Sequence, residues 1–170
     1  FEPVHPKYNN KISKIEIGNL IEVAEGILSG KKYFKSVLSA TEEKALLDIL
    51  KIGASAGGAR AKAIIAYNTK TNEVRSGQTD APKGFSHWLI KFDGVSDTQF
   101  GSSSGYGRVE MAYYLMTQDA GIEMTECRLL EENGRAHFMT KRFDRADGNI
   151  KFHTQTFCAL QHYDYNEVTM

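Results

Sequence analysis

The chain has 170 residues, in which 21 Lys and Arg balance 21 Asp and Glu. This is the length of one domain or of one lobe of a larger one, and it can bury a sizeable core. The charge balance offers no overall basic field for nucleic acid, and no run nears the ~18 apolar residues of a membrane span.

In chain order, residues 1–14 read as an irregular lead-in with Pro3, Pro6 and a pair of asparagines. In "EIGNLIEVAEGILSG", Leu20, Ile21, Ala24 and Ile27 recur at helical spacing, with Asn19 as a candidate cap and Gly30 as a stop. "SATEEKALLDILKIG" predicts a second helix, with Ser39 or Thr41 as N-cap and Glu42 and Glu43 in its first turn. "KAIIAYNTKTNEVRSGQ" predicts a hairpin turning at "NTKTN", and "GFSHWLIKFDG" predicts a strand in which Trp88, Ile90 and Phe92 share one face. A helix is expected from Arg108 to Asp119, with Val109, Ala112, Tyr113 and Met116 on one face and Gly121 just past its end. A second hairpin turns at "ENGR", and "NIKFHTQTFCALQHYDYN" fits strand or helix equally. Helices followed by hairpins predict an α+β fold with a mainly antiparallel sheet, not the alternation of a dinucleotide-binding sheet.

Cys127 and Cys158 show neither metal spacing nor a disulfide framework, and are expected to be buried thiols in a reducing cytoplasm. His5, His87, His137, His153 and His162 show no ligand spacing, so no metal site is expected.

Three segments carry possible chemistry. The first is "GASAGGARAKA", residues 53–63: Gly57 and Gly58 leave backbone N–H groups open to a phosphate, Ser55 adds a hydroxyl, and Arg60 and Lys62 add charge. It is not a Walker A motif, and a plain turn before a strand is its simpler reading. The second is Lys91 inside the apolar strand "HWLIKF", which points either to solvent or into a cleft. Glu110, near the start of the next helix, is either a surface acid favoured by the helix dipole or a partner for Lys91. A Gly-rich loop, a strand lysine and a helix acid, in that order, are the layout of a protein-kinase N-lobe. The third is "HFMTKRFDR", an apolar strand running into a mixed segment like a kinase hinge, with Met139 expected at the back wall and Phe143 over an adenine. Asp144 and Asn149 have the spacing of a kinase catalytic loop, with Asp164 beyond. They follow a hairpin instead of a C-lobe helix, no D-F-G accompanies them, and Phe92–Gly94 has the wrong order; the spacing is read as chance.

With "GASAGGARAKAIIA", "HWLIKF", "EMAYYLMTQDAGIEMTECRLLEENGRAHFMTKRFDR" and "KFHTQTFCALQHYDYN" in this order, the chain resembles the HipA family of bacterial serine/threonine kinases, toxins of type II toxin–antitoxin pairs. The resemblance runs from about Lys11 to the end. It implies a helical lead-in over 1–52 packed on a kinase-like N-lobe over 53–170, with the C-lobe absent. Ser55, Ala56, Gly57, Gly58, Ala59, Arg60 and Lys62 would form the phosphate-binding loop, and Ser55 would be the autophosphorylated regulatory serine. A phosphate on Ser55 would repel those of ATP. Lys91 would be the catalytic, ATP-binding lysine, and Lys141 and Phe143 the hinge contacts to adenine; Lys141 stands where a glutamate is expected. His153 and Gln155 would open the segment entering the C-lobe.

The resemblance further implies Mg-ATP as cofactor, with the general-base Asp and the metal ligands in the C-lobe. The implied partners are a protein substrate, with an aminoacyl-tRNA synthetase as the family's known kind of target, and a DNA-binding antitoxin. No direct nucleic-acid or membrane contact is expected. The start at Phe1 and the stop at Met170 are what a piece of a longer protein would show. A non-catalytic nucleotide-sensing or antitoxin-docking module, and a small-molecule kinase, remain alternatives.

Overall fold

The computed structural model describes residues 15–28, 46–47, 50, 60–77, 80–95, 104–146 and 149–163. Helix α1 (Ile17–Leu28) comes first, then strands β1 (Lys62–Asn68), β2 (Glu73–Ser76) and β3 (Ser86–Lys91), helix α2 (Tyr106–Asp119), strands β4 (Cys127–Glu132) and β5 (Arg135–Lys141), and a short α3 (Phe157–Gln161). The strands form one five-stranded sheet in the order β2-β1-β3-β5-β4, antiparallel at every junction. The fold is α+β with an antiparallel sheet, as the element order predicts.

Local chemistry sets both hairpins. At the first turn the Asn68 side chain accepts the N–H groups of Lys70 and Thr71, and the Tyr67 hydroxyl donates to Asn72 at 2.6 Å. At the second, Asn133 and Gly134 both have positive φ, 48° and 77°, the two-residue turn whose twist matches that of the flanking strands.

The two faces of the sheet differ. Directly opposed residues share a face, so the register puts Ala63, Ile90 and Met139 on one side, and Ile65 and Trp88 with them. This side packs on Leu20, Ile21 and Ala24 of α1 and on Leu46 and Leu50, forming the core. Trp88 is fully buried, edge-on to Tyr67 at 5.9 Å, and its indole N–H donates to Ser86 at 2.9 Å. The other face carries Lys62 and Ile64 of β1, Leu89 and Lys91 of β3, and Phe138 and Thr140 of β5. Helix α2 lies over β5 and β4 on this second face. It comes so close that a Cβ on Gly107 would stand 1.8 Å from the Ala136 carbonyl oxygen.

Several expectations are corrected. Helix α1 starts at Ile17, so Asn19 lies inside it, although Leu20, Ile21 and Ala24 are buried as their spacing predicts. Helix α2 starts at Tyr106, two residues before Arg108. Its apolar stripe faces away from the sheet, with Val109, Tyr113 and Met116 all exposed. Met139 belongs to the core, not to a cleft wall. The segment after Asn149 resolves into an isolated bridge between Arg145 and Lys151, then α3, whose Thr156 side chain accepts the Ala159 N–H at 3.1 Å. Both cysteines are free thiols, but only Cys127 is buried; Cys158 is half-exposed. Burial raises the Cys127 pKa and keeps that thiol protonated. Leu46, Leu47 and Leu50 are helical, whereas Gly30, Ser39, Thr41, Glu42 and Glu43 lie outside the described residues.

Candidate functional site

Strand alternation turns Lys91 away from the core that holds Ile90, and the face it meets is covered by α2. Its ammonium stands 2.5 Å from the Glu110 carboxylate, and both side chains are half-buried. The ring of Phe138 lies 5.8 Å below the same nitrogen. Lys62 is directly opposite Lys91 in the β1–β3 register and is only 5% exposed. Burial, followed by the Lys91 charge, lowers the Lys62 pKa, and the Glu110 carboxylate opposes both. The two lysines and the glutamate therefore form one coupled group at the end of the sheet.

The group is anchored by contacts that sequence reading did not find. The Asp93 carboxylate accepts the N–H groups of Gly105 and Tyr106, each at 3.1 Å, and so caps α2 from outside. The Asp93 N–H in turn donates to Nδ1 of the buried His137 at 2.9 Å. "FDG" at Phe92–Gly94 had been legible only as a misordered kinase motif; its aspartate is a helix cap.

Along the same face, one strand repeat (about 7 Å) from Lys91, a cleft of about 940 Å³ opens under Ile64, Leu89 and Thr140 and is closed by Lys141, Arg142 and Phe143. Ile64 and Leu89 give it an apolar ceiling. Phe143 stands at the rim, 72% exposed. The Lys141 N–H donates to the Glu126 carbonyl and the Arg142 N–H to the His87 carbonyl, both at 2.9 Å, so both amides are engaged in the sheet. The cleft is large enough for a small molecule, and the Lys91 ammonium stands one strand repeat from it.

The predicted residues distribute as follows. Lys141 and Phe143 line the cleft, and the opposed Lys62 and Lys91 stand one strand repeat from it. Arg60 stacks its guanidinium 3.5 Å over the ring of Tyr106, the first residue of α2. Ser55, Ala56, Gly57, Gly58 and Ala59 lie outside the described residues, as does Asp164. His153 and Gln155 are exposed. Asp144 is gripped by Arg142, with Nε at 2.7 Å and a second N–H on the other oxygen, and by Arg145 at 2.7 Å. The Arg142 hydrogen bond, against the opposing effect of burial, holds the Asp144 pKa below its ordinary value. The Asn149 amide clamps the Ala81 backbone, accepting its N–H at 2.6 Å and donating to its carbonyl at 3.1 Å. Both residues of the catalytic-loop-like spacing thus do structural work. The cleft residues Ile64, Leu89 and Thr140 went unnoticed because apolar strand residues look alike until the register assigns them a face.

No helix among the described residues is long and apolar enough to cross a membrane. A family model described as the HipA-like C-terminal domain matches residues 54–170. No curated protein and no solved structure matches the chain. The match spans both hairpins, α2, the Lys91–Glu110 pair and the cleft, and covers well over half of the sequence: the chain belongs to the HipA-like C-terminal domain family.

Proposed function

We propose that this chain is the ATP-binding lobe of a serine/threonine protein kinase of the HipA type, and that residues 53–170 are its kinase-like N-lobe. The Lys91–Glu110 ion pair, one strand repeat from the cleft, carries this reading, because a lysine held by a helix carboxylate is the arrangement kinases use against nucleotide phosphates. Mg-ATP, when bound, supplies the γ-phosphoryl group and the metal that offsets its charge.

The chain's own residues hold that group. Ile64 and Leu89 cover the base and Phe143 closes the rim. Since the Lys141 and Arg142 amides are engaged in the sheet, the hinge contact passes to the backbone at Phe143. Glu110 holds the Lys91 ammonium so that its remaining N–H donors face phosphate oxygens, with Lys62 beside it. Ser55 to Ala59 are assigned to the phosphates by the resemblance alone, and a phosphate on Ser55 would repel those of ATP. Among the described residues this reading assigns no general base and no metal ligand.

The test is a calorimetric titration with Mg-ATP of the parent chain and of Lys91→Ala. Saturable binding that weakens at least tenfold in the variant is expected. Absence of binding by the parent, or equal affinity in both, would overturn the reading.

A further inference from the structure

We propose that Asp93 is a positioning residue that sets the Lys91–Glu110 pair by tying the end of β3 to the start of α2. The inference deepens the proposed function, since that pair is the one assigned to the nucleotide phosphates.

Lys91 and Glu110 are nineteen positions apart in sequence, and the covalent route between them passes through the β3–α2 connection. Asp93 shortens that route. It lies two positions after Lys91, and its two carboxylate oxygens take the N–H groups of Gly105 and Tyr106, the latter four positions before Glu110. Its own backbone is fixed on both sides. The neighbouring Phe92 N–H donates to the Ala61 carbonyl at 3.0 Å, linking it toward β1, and the Asp93 N–H donates to His137 on β5. Asp93 is only 3% exposed, so water does not compete well for its two donors. The N-cap position itself is Gly105, which has no side chain and hence no cap of its own. Asp93 supplies from another element what the helix lacks locally.

The same contact orients Tyr106, whose ring carries the Arg60 guanidinium at 3.5 Å. Asp93 therefore sets two cations at once: Lys91 through Glu110, and Arg60 through Tyr106. An asparagine would keep the shape but lose the arrangement. Its single carbonyl oxygen accepts one N–H, and its NH2 group faces the other.

The experiment measures acetylation of Lys91 by an N-hydroxysuccinimide acetate in the ligand-free chain, read by peptide mass spectrometry. The neutral amine attacks the ester and displaces N-hydroxysuccinimide, so a half-buried ammonium paired with Glu110 reacts only after the pair opens and its proton passes to water, and the rate tracks the open population. Glu110→Gln calibrates the unpaired rate. Asp93→Asn is expected to raise Lys91 acetylation about fivefold toward that rate, the scale of a lost helix cap. Asp93→Ser, whose hydroxyl still accepts one N–H, should fall between and serves where Asp93→Asn folds poorly. A folded Asp93→Asn or Asp93→Ser with parental Lys91 acetylation and a lowered melting temperature would assign Asp93 a merely structural role and overturn the proposal. Since no nucleotide is present, this outcome is separate from the Mg-ATP titration: Asp93 can position the pair in a chain that fails to bind ATP, and the reverse.

Discussion

His137 sits at the middle of β5 with no exposed surface, edge-on to Phe92 at 5.9 Å. Its Nδ1 accepts the Asp93 N–H, so the proton of the neutral ring is on Nε2, which is buried without a hydrogen-bond partner. Burial lowers its pKa from 6.5 to about 4. The sign follows directly. Between pH 6.5 and 4 the unfolded chain takes up a proton that the native chain refuses, so stability falls as pH falls through that window. The full loss is about 3 kcal/mol, on the order of the shift in pKa units times 1.36. Urea midpoints at pH 7, 5.5 and 4 should decline steadily, and His137→Phe should flatten the slope whatever it does to the absolute value. Asp144 acts in a lower window. Its depressed pKa adds stability above the ordinary carboxylate range, which is lost only as pH drops through the native value. At this scale the sequence was partly legible. A lone lysine in an apolar strand and an acid in the next helix announce each other, as Lys91 and Glu110 do. Asp93 and His137 gave no such signal, because their partners are backbone N–H groups fixed only by the tertiary fold.

At the level of elements, both hairpins could be read from turn residues alone, because Asn-Gly and the asparagine-rich "NTKTN" act locally. Helix α2 could not. Its N-cap position is Gly105, which has no side chain, and the Gly- and Ser-rich stretch before it reads as a loop, so a reading of neighbours starts the helix at Arg108; the structure starts it at Tyr106, whose N–H Asp93 accepts. Its packing was also misleading. The apolar residues Val109, Tyr113 and Met116 suggest a buried stripe, yet α2 meets the sheet through Gly107 and Glu110. Contact here depends on backbone proximity and an ion pair, which hydrophobic periodicity cannot report. Gly107→Ala tests this. Its Cβ meets a backbone oxygen that cannot turn aside, so α2 must lift. The expected cost is roughly 1–3 kcal/mol, measured as a lower urea midpoint. The shift should also widen the Lys91–Glu110 gap and raise Lys91 acetylation, while Gly121→Ala, strained at a φ of 70° but with open space around it, leaves acetylation unchanged.

For the whole molecule, the consequence lies in the division between the two faces of the sheet. The core between the sheet and α1 does not use the cleft face, so the proposed nucleotide site can be altered without dismantling the fold. Lys91→Ala removes a half-buried ion pair and should change stability by no more than about 1 kcal/mol. Binding, by contrast, adds stability only to the native chain. At a ligand concentration 100 times Kd the gain is about 2.7 kcal/mol. For a domain of this size each kcal/mol moves the melting temperature by about 2–4 °C, so Mg-ATP should raise it by roughly 5–10 °C. Lys91→Ala should melt near the parent without nucleotide and lose most of that rise with it. A variant that melted far below the parent would show that the cleft face helps hold the core. If both chains gained equally from Mg-ATP, the nucleotide would be bound away from Lys91, and the division of the sheet into a folding face and a binding face would not hold.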